Sequence, residues 1–149
     1  MAVVDVEEEE ATVIKLAMKT LKDHYGLNPG KYAEPVREIG YQLGAELSKI
    51  LRTKSPTIDS VIDEMGRYWF RHAIGEISWA DRDNLLVEMK YCSDCFSRGY
   101  GAGYTLCPFK EGILRAVLEE KTGSKFKVHE IECCGTQSNN CLFKIEKRD

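Results

Sequence analysis

The sequence lacks three kinds of segment that would place it in a familiar class. No apolar run approaches the length of a membrane span. The N-terminus carries acidic residues where a secretory signal peptide would carry basic residues followed by a long apolar run. The 21 Lys and Arg residues are scattered and the formal net charge is −3, so the basic stripe of a nucleic-acid-binding surface is missing. We therefore expect a cytoplasmic protein without a membrane span that does not bind nucleic acid directly.

Cysteine is absent from the first 91 residues, and all six cysteines lie in the remainder: Cys92, Cys95, Cys107, Cys133, Cys134 and Cys141. An even number of cysteines could build a disulfide framework, but that solution is typical of short secreted chains. A chain of 149 residues with 43% hydrophobic residues can bury an adequate core in one domain. The cysteines therefore indicate metal binding or redox chemistry, although one or two could be small buried hydrophobes.

The pattern of apolar residues predicts an α+β fold. Helical spacing indicates three helices, which end near residues 25, 51 and 72, and a fourth helix over about 108–121. The second helix begins near Glu34, since Asn28-Pro29-Gly30 is typical of the end of the first. Alternating apolar residues predict a hairpin within 76–91 and a second hairpin from strands 125–133 and 141–147. Helices segregated from hairpin-linked strands favour an antiparallel sheet flanked by helices. Gly40 and Gly44 in the second helix would let a neighbouring element approach closely.

Four residues near the second hairpin form the strongest chemical signal: Cys107, Glu130, Cys133 and Cys141. Cys107 precedes Pro108, which is favoured at the first helical position, so the thiol would sit at a helix N-terminus that stabilises thiolate. The polar segment 135–140 predicts a turn that brings Cys133 and Cys141 close. Three thiolates and a carboxylate suit zinc in a closed structural site.

Strand geometry adds a condition to this site. In an ideal strand Phe126, Val128 and Glu130 share one face, while Cys133 lies on the other face. Glu130 and Cys133 can reach one metal only if the strand is irregular between them. We therefore predict a bulge or bend near these residues.

The same residues resemble a known family, the 4-vinyl-reductase domains. The resemblance rests on three motifs: Cys107-Pro108-Phe109-x-x-Gly112, Glu130-x-x-Cys133 and Cys141-x-Phe143. Relatives in this family include the sensory domains of phenol-responsive transcription activators and bacteriochlorophyll-pathway proteins, and subunits of the TRAPP trafficking complex share the fold. The resemblance covers about residues 30–147 and implies that Cys107, Glu130, Cys133 and Cys141 hold zinc.

This resemblance also implies an organisation and a function. It divides the chain into an N-terminal helix over residues 1–29 and a 4-vinyl-reductase-like ligand-binding domain over residues 30–149. It further implies a homodimer with an apolar pocket. The expected function is a zinc-stabilised domain that binds or senses a small apolar or aromatic molecule.

Aromatic residues and a histidine are candidates for lining that pocket: Trp69, His72, Trp79, Tyr100 and Tyr104. The histidine could bond a ligand hydroxyl, and the two tyrosines flank a glycine-rich segment that could act as a lid. The alternative is that both tryptophans belong to the core and that His72 merely ends a helix.

The remaining cysteines leave a second function open. Cys92 and Cys95 form a C-x-x-C motif that could be redox-active, bind a second metal together with Cys134, or be inert. An enzyme or electron-transfer subunit, similar to a vinyl reductase, would use these thiols or an iron–sulfur cluster. Zinc is favoured over a cluster because Glu130 is a poor cluster ligand. No nicotinamide or flavin motif is present, which favours a binding module over an enzyme.

Overall fold

The computed structural model describes residues 5–25, 29–52, 57–90, 107–132 and 140–148. These ranges contain four helices and four strands: α1 Val6–Tyr25, α2 Pro29–Ser48, α3 Ile58–Arg71, β1 Glu76–Asp81, β2 Leu86–Lys90, α4 Pro108–Thr122, β3 Lys125–Glu132 and β4 Cys141–Arg148. The predicted order of three helices, a hairpin, a helix and a hairpin is confirmed. The sheet is antiparallel throughout, so the predicted α+β class is confirmed as well.

The helices begin and end where their local sequence favours it. The first turn of α1 carries three consecutive glutamates, which the helix dipole favours. Thr57 caps α3 by accepting a hydrogen bond from the Ser60 N–H at 3.1 Å. Cys107 is the N-cap residue of α4, as predicted, and Pro108 takes the first helical position. Gly123 ends α4 at φ +77°, a left-handed conformation that glycine adopts without a steric penalty.

Helix α2 differs from its predicted boundaries. It begins at Pro29, five residues before the predicted start near Glu34. The Asn28-Pro29-Gly30 sequence is typical of a helix end, but proline also suits the first position of a new helix. Pro35 then falls inside α2, where it has no N–H to donate to the carbonyl oxygen of Lys31.

Helices α2 and α4 pack at very short distance, because glycines stand at their crossing. A Cβ atom at Gly40 would lie 2.1 Å from the carbonyl oxygen of Phe109. A Cβ atom at Gly112 would lie 2.0 Å from the carbonyl oxygen of Arg37. The prediction that Gly40 and Gly44 admit a close neighbour is thus confirmed, and the neighbour is α4.

The sheet has the strand order β1-β2-β4-β3, so β3 and β1 are its edges. Cross-strand pairs on one face are buried: Val87 with Phe143, Met89 with Cys141, and Val128 with Ile145. Helix α4 packs against β3 and supplies Ile113, Val117 and other buried side chains to the same core. The N-terminus of α4 therefore lies beside the end of the sheet where β4 begins.

Candidate metal centre

Three elements bring three of the predicted ligands together. Cys107 precedes α4, Glu130 lies in β3, and Cys141 opens β4. One potential ligand atom from each of these residues lies within 4.8 Å of the other two. Both cysteines are 0% exposed. These residues therefore lie close enough to hold a metal ion.

The register of the second hairpin places Glu130 on the same face as Cys141. Glu130 pairs directly with Phe143, and partners in an antiparallel pair project to the same side of the sheet. Cys141 lies two residues before Phe143, so it projects to that side too. The register is irregular between Glu130 and Glu132, which confirms the bulge or bend predicted there.

The distances at the site suit metal ligation better than a disulfide. The sulfur atoms of Cys107 and Cys141 lie 3.4 Å apart, whereas a disulfide bond measures about 2.05 Å. Two thiolates bound to a tetrahedral zinc at about 2.3 Å would lie roughly 3.8 Å apart. The Cys107 N–H donates to Oε1 of Glu130 at 3.3 Å, which holds the carboxylate beside the helix N-terminus. Two thiols and one carboxylate in such an arrangement fit a zinc ion in ligand type and spacing.

The buried ion pair between Arg37 and Glu111 contacts the backbone of Glu130. Oε2 of Glu111 accepts a hydrogen bond from the Glu130 N–H at 2.6 Å. Oε1 of the same carboxylate accepts two bonds from Arg37, from Nε at 3.0 Å and from Nη2 at 2.8 Å. Burial raises the pKa of the Glu111 carboxyl above 4.5, and Arg37 and the Glu130 N–H offset only part of that effect. Helix α2 is thus linked through α4 to the backbone of the candidate ligand.

Sequence reasoning missed Arg37, Glu111 and Glu119, which lie buried or half-buried between α2, α4 and β3. A signal for the two glutamates exists, because both interrupt the apolar stripe of α4 formed by Ile113, Leu114, Val117 and Leu118. Acidic residues in an apolar stripe predict buried partners. Their partners could not be identified from the sequence, since Arg37 lies 74 residues from Glu111.

The other predicted site residues fall into two groups. Six lie outside the described residues: Cys92, Cys95, Cys133, Cys134, Tyr100 and Tyr104, as does the glycine-rich segment 99–103. Trp69 is 1% exposed and belongs to the core. His72 follows α3 as its C-cap residue, and its ring lies tilted against that of Tyr68, with ring centroids 4.6 Å apart.

Trp79 occupies a distinct position in β1. It pairs with Val87 and so projects to the core side of the sheet. The indole Nε1 is buried and, within the described part of the chain, has no hydrogen-bond partner. Arg82 lies over the ring, 5.9 Å from its centroid. A buried donor without an acceptor costs free energy unless another molecule supplies the acceptor.

One family model matches the part of the chain that contains all three residues of the candidate metal centre. Residues 87–147 match the V4R domain family. This match confirms the resemblance to 4-vinyl-reductase domains. It covers both strands of the second hairpin, helix α4 and all three residues of the candidate metal centre.

Two uncharacterized proteins of Methanocaldococcus jannaschii are similar to this chain in sequence. The first is 23% identical over 116 residues, which is 76% of this chain but just under two thirds (66%) of the relative. The second is 26% identical over 145 residues, 92% of this chain and 86% of the relative. At this identity the two proteins support a shared domain.

Three solved structures have a similar fold. A vinyl-4-reductase family protein from M. jannaschii aligns with a TM-score of 0.59 at 18% identity, over 100% of this chain and 99% of its own. The phenol-responsive sensory domain of the transcription activator PoxR, solved with phenol, aligns with 0.55 at 17%, over 99% and 76%. Subunit 3 of a trafficking protein particle complex from Naegleria fowleri, covalently bound to palmitic acid, aligns with 0.51 at 12%, over 96% and 95%. The predicted V4R and TRAPP-like fold is confirmed. Among the described helices, none is long and apolar enough to cross a membrane.

Proposed function

We propose that this chain is a zinc-stabilised domain that binds and senses a small apolar or aromatic molecule. The observation that carries the proposal is the convergence of Cys107, Glu130 and Cys141, with both thiols buried, where α4 meets the second hairpin. A closed zinc site would cross-link these elements and fix the end of the sheet. The similarity to a sensory domain solved with phenol supports a small-molecule role.

The register of β3 supports Cys133 as the fourth ligand. After the irregularity, Glu132 pairs with Leu142, whose side chain lies on the opposite face from Cys141. Strand alternation would then return the next position, Cys133, to the face of Glu130 and Cys141. The irregularity therefore removes the conflict that an ideal strand would create between Glu130 and Cys133.

The buried indole of Trp79 supports a ligand with a hydrogen-bond acceptor. Its Nε1–H lacks an acceptor within the described residues, and its ring lies on the apolar side of the sheet. An aromatic molecule that carries a hydroxyl group would satisfy the donor and bury its ring against the same face. Phenol has both properties and serves as the first probe.

The proposal extends to the assembly and to the remaining cysteines. A homodimer is supported by apolar side chains that α1 and α2 leave exposed, such as Leu16 at 59% and Ile39 at 40%. Cys92, Cys95 and Cys134 stay predicted as a redox or second-metal group. Light scattering on the purified chain tests the dimer, and a cytoplasmic location stays a prediction.

Elemental analysis of protein purified without added metal tests the zinc site. We expect about one zinc per chain, lost in Cys141→Ser because a serine hydroxyl is a poor zinc ligand. The matched control is the double variant Cys92→Ser/Cys95→Ser, which should keep its zinc. Iron with a visible absorption band would instead support the electron-transfer alternative, and metal loss in the control would show that the ligand set is wrong.

Calorimetric titration with phenol and with toluene tests the ligand site. Trp79→Phe keeps an aromatic ring but removes the donor, so the affinity for phenol should fall about tenfold while the affinity for toluene stays the same. Equal affinities of the variant and the natural chain for phenol would contradict the role of Trp79.

A further inference from the structure

A polar cavity lies between helices α2 and α4 and strand β3, and Trp79 is not among its lining residues. Its volume is about 290 Å³, near the lower end of pockets that hold small organic molecules. It is bounded by α2, α4, the edge of β3 and the end of β4, and lined by Glu34, Arg37, Glu111, Arg115, Phe126, Lys127, Val128, His129 and Arg148. Of the predicted site residues that the structure describes, none contributes to it.

The lining carries four cations and two carboxylates, an excess of two positive charges on a chain whose net charge is −3. Arg37 is paired with Glu34 and Glu111, and Arg115 with Glu119. Within the described ranges Lys127 and Arg148 make no ion pair. Two exposed cations in the lining, Lys127 and Arg148, are therefore left without a carboxylate partner among the described residues.

Two further groups in the lining can bind an anion. Nδ1 of His129 is buried and has no hydrogen-bond partner among the described residues. The N–H groups of Phe126 and Glu130 point away from β4, since both donate to carboxylates of α4. Backbone direction alternates along a strand, so the Val128 N–H, midway between them, points the same way and faces the cavity.

We propose that this cavity binds a phosphate group, carried by a small phosphomonoester. A phosphomonoester has a charge of about −1.5 to −2 at pH 7, which matches the two unpaired cations Lys127 and Arg148 better than a carboxylate does. Lys127 and Arg148 neutralise the phosphoryl oxygens, Arg37 and Arg115 border them, and the Val128 N–H and His129 donate hydrogen bonds. The cavity leaves room beside the phosphate for a small organic group against Phe126 and Val128.

Titration of the full chain with inorganic phosphate, followed by calorimetry and by amide NMR, tests the site. We expect saturable binding with shifts centred on the Val128 amide and the His129 ring. The double variant Lys127→Gln/Arg148→Gln should bind at least about tenfold more weakly. Both side chains are exposed, so the variant should keep its fold and its metal content, which circular dichroism and elemental analysis verify.

The matched control removes the same charge elsewhere. Lys19→Gln/Arg67→Gln alters two exposed cations outside the cavity and should leave phosphate binding within about twofold. Equal weakening in both double variants would show a nonspecific charge effect and overturn the site. Absence of saturable binding at millimolar phosphate, or acetate binding as tightly as phosphate, would overturn it as well.

Two further arms distinguish the sources of the phosphate group. Binding of glycerol phosphate without pelleting on phosphatidylcholine vesicles that contain phosphatidate would assign the cavity to a soluble phosphomonoester. Pelleting that the Lys127→Gln/Arg148→Gln variant loses would assign it to a lipid head group. Either result supports a phosphate site, and failure of both arms overturns it.

Discussion

The two ends of helix α4 both hold strand β3 through a buried glutamate, but they do so in electrostatically different ways. Near the N-terminus, Glu111 accepts the Glu130 N–H, and near the C-terminus, Glu119 accepts the Phe126 N–H at 2.9 Å. Each carboxylate thus satisfies a donor that an edge strand would otherwise expose. The pKa of Glu111 is raised, whereas the pKa of Glu119 is lowered.

Three hydrogen bonds are donated to each carboxylate, so the difference follows from whether burial or these donors dominate. Burial alone would raise the pKa of Glu119, but the Phe126 N–H, the Tyr41 hydroxyl and Arg115 outweigh it. Glu111 is 1% exposed, and its only described cationic partner within hydrogen-bonding distance is Arg37. The donors therefore outweigh burial at Glu119, whereas burial outweighs the donors at Glu111.

Near the N-terminal end of α4, the acidic groups outnumber their cationic partners among the described residues. The Glu130 carboxylate and the buried thiol of Cys141 cluster with the buried thiol of Cys107, the N-cap residue four positions before Glu111. Burying several acidic groups together is unfavourable unless a cation offsets them. The proposed zinc ion would explain this difference between the two ends of α4. The C-terminal end, at Glu119, would stabilise the fold alone, and the N-terminal end would support the metal site.

Gly112→Ala should have the largest effect on stability, because Gly112 lies near the N-terminal end of α4, where the backbone of α2 is in contact. The new Cβ would lie 2.0 Å from the Arg37 carbonyl oxygen and 2.7 Å from the Tyr41 nitrogen, so the backbone of α2 must move. We expect a loss of about 3 kcal/mol in the free energy of unfolding. Because Arg37 moves with α2, we also expect weaker retention of the metal against a chelator.

Urea unfolding and metal analysis measure both effects of Gly112→Ala. Glu120→Ala, on the exposed side of α4, is the control and should change stability by less than about 0.5 kcal/mol. A destabilised Gly112→Ala variant that holds metal as tightly as the control would break the link between the α2–α4 contact and the site.

Glu119→Gln should have an intermediate effect and leave the metal in place. An amide lacks the charge that Arg115 and the Phe126 N–H stabilise, so we expect a loss of about 2 kcal/mol at pH 7. Since the folded-state pKa lies below 4.5, this contribution is present above pH 4.5 and is lost as the pH falls through the folded-state value.

Urea unfolding at neutral and acidic pH tests this dependence. The difference between the natural chain and Glu119→Gln should shrink in acid, whereas Glu120→Gln should differ little from the natural chain at either pH. A difference that is constant with pH would mean that the charge of Glu119 is not what stabilises the strand. Metal loss in Glu119→Gln would contradict the separation of the two ends.

The elements were predictable from sequence because each depends on neighbouring residues. The periodicity of α3, the Pro108 start and Gly123 end of α4, and the alternation in β4 are local signals. The irregularity after Glu130 was also predictable, since a chemical demand on two ligands conflicted with the period of a strand. The predicted start of α2 was wrong because proline is typical both of the residues after a helix and of the first position of the next helix.

The support around the site was not predictable, since it depends on contacts between distant segments. Nothing near Arg37 in sequence identifies Glu111 as its partner, and the strand order that makes β3 an edge is a property of the whole sheet. The lack of an acceptor for the buried Nε1–H of Trp79 among the described residues was not predictable either. Whether a donor finds an acceptor depends on all the residues packed around it.

Gly123→Ala should have the smallest effect, and it isolates the backbone contribution at the C-terminal end. No atom lies within 4 Å of the position a Cβ would take, so the substitution meets no steric contact with the rest of the chain. Its cost comes from φ +77°, and we expect a loss of about 1 kcal/mol in the free energy of unfolding. Gly123→Asn should lose less, because asparagine tolerates the left-handed conformation better than alanine. Thermal unfolding of both variants measures the difference, and both should keep their metal. If alanine and asparagine cost the same, the left-handed conformation does not determine the end of α4, and the stability of this end rests on Glu119 alone.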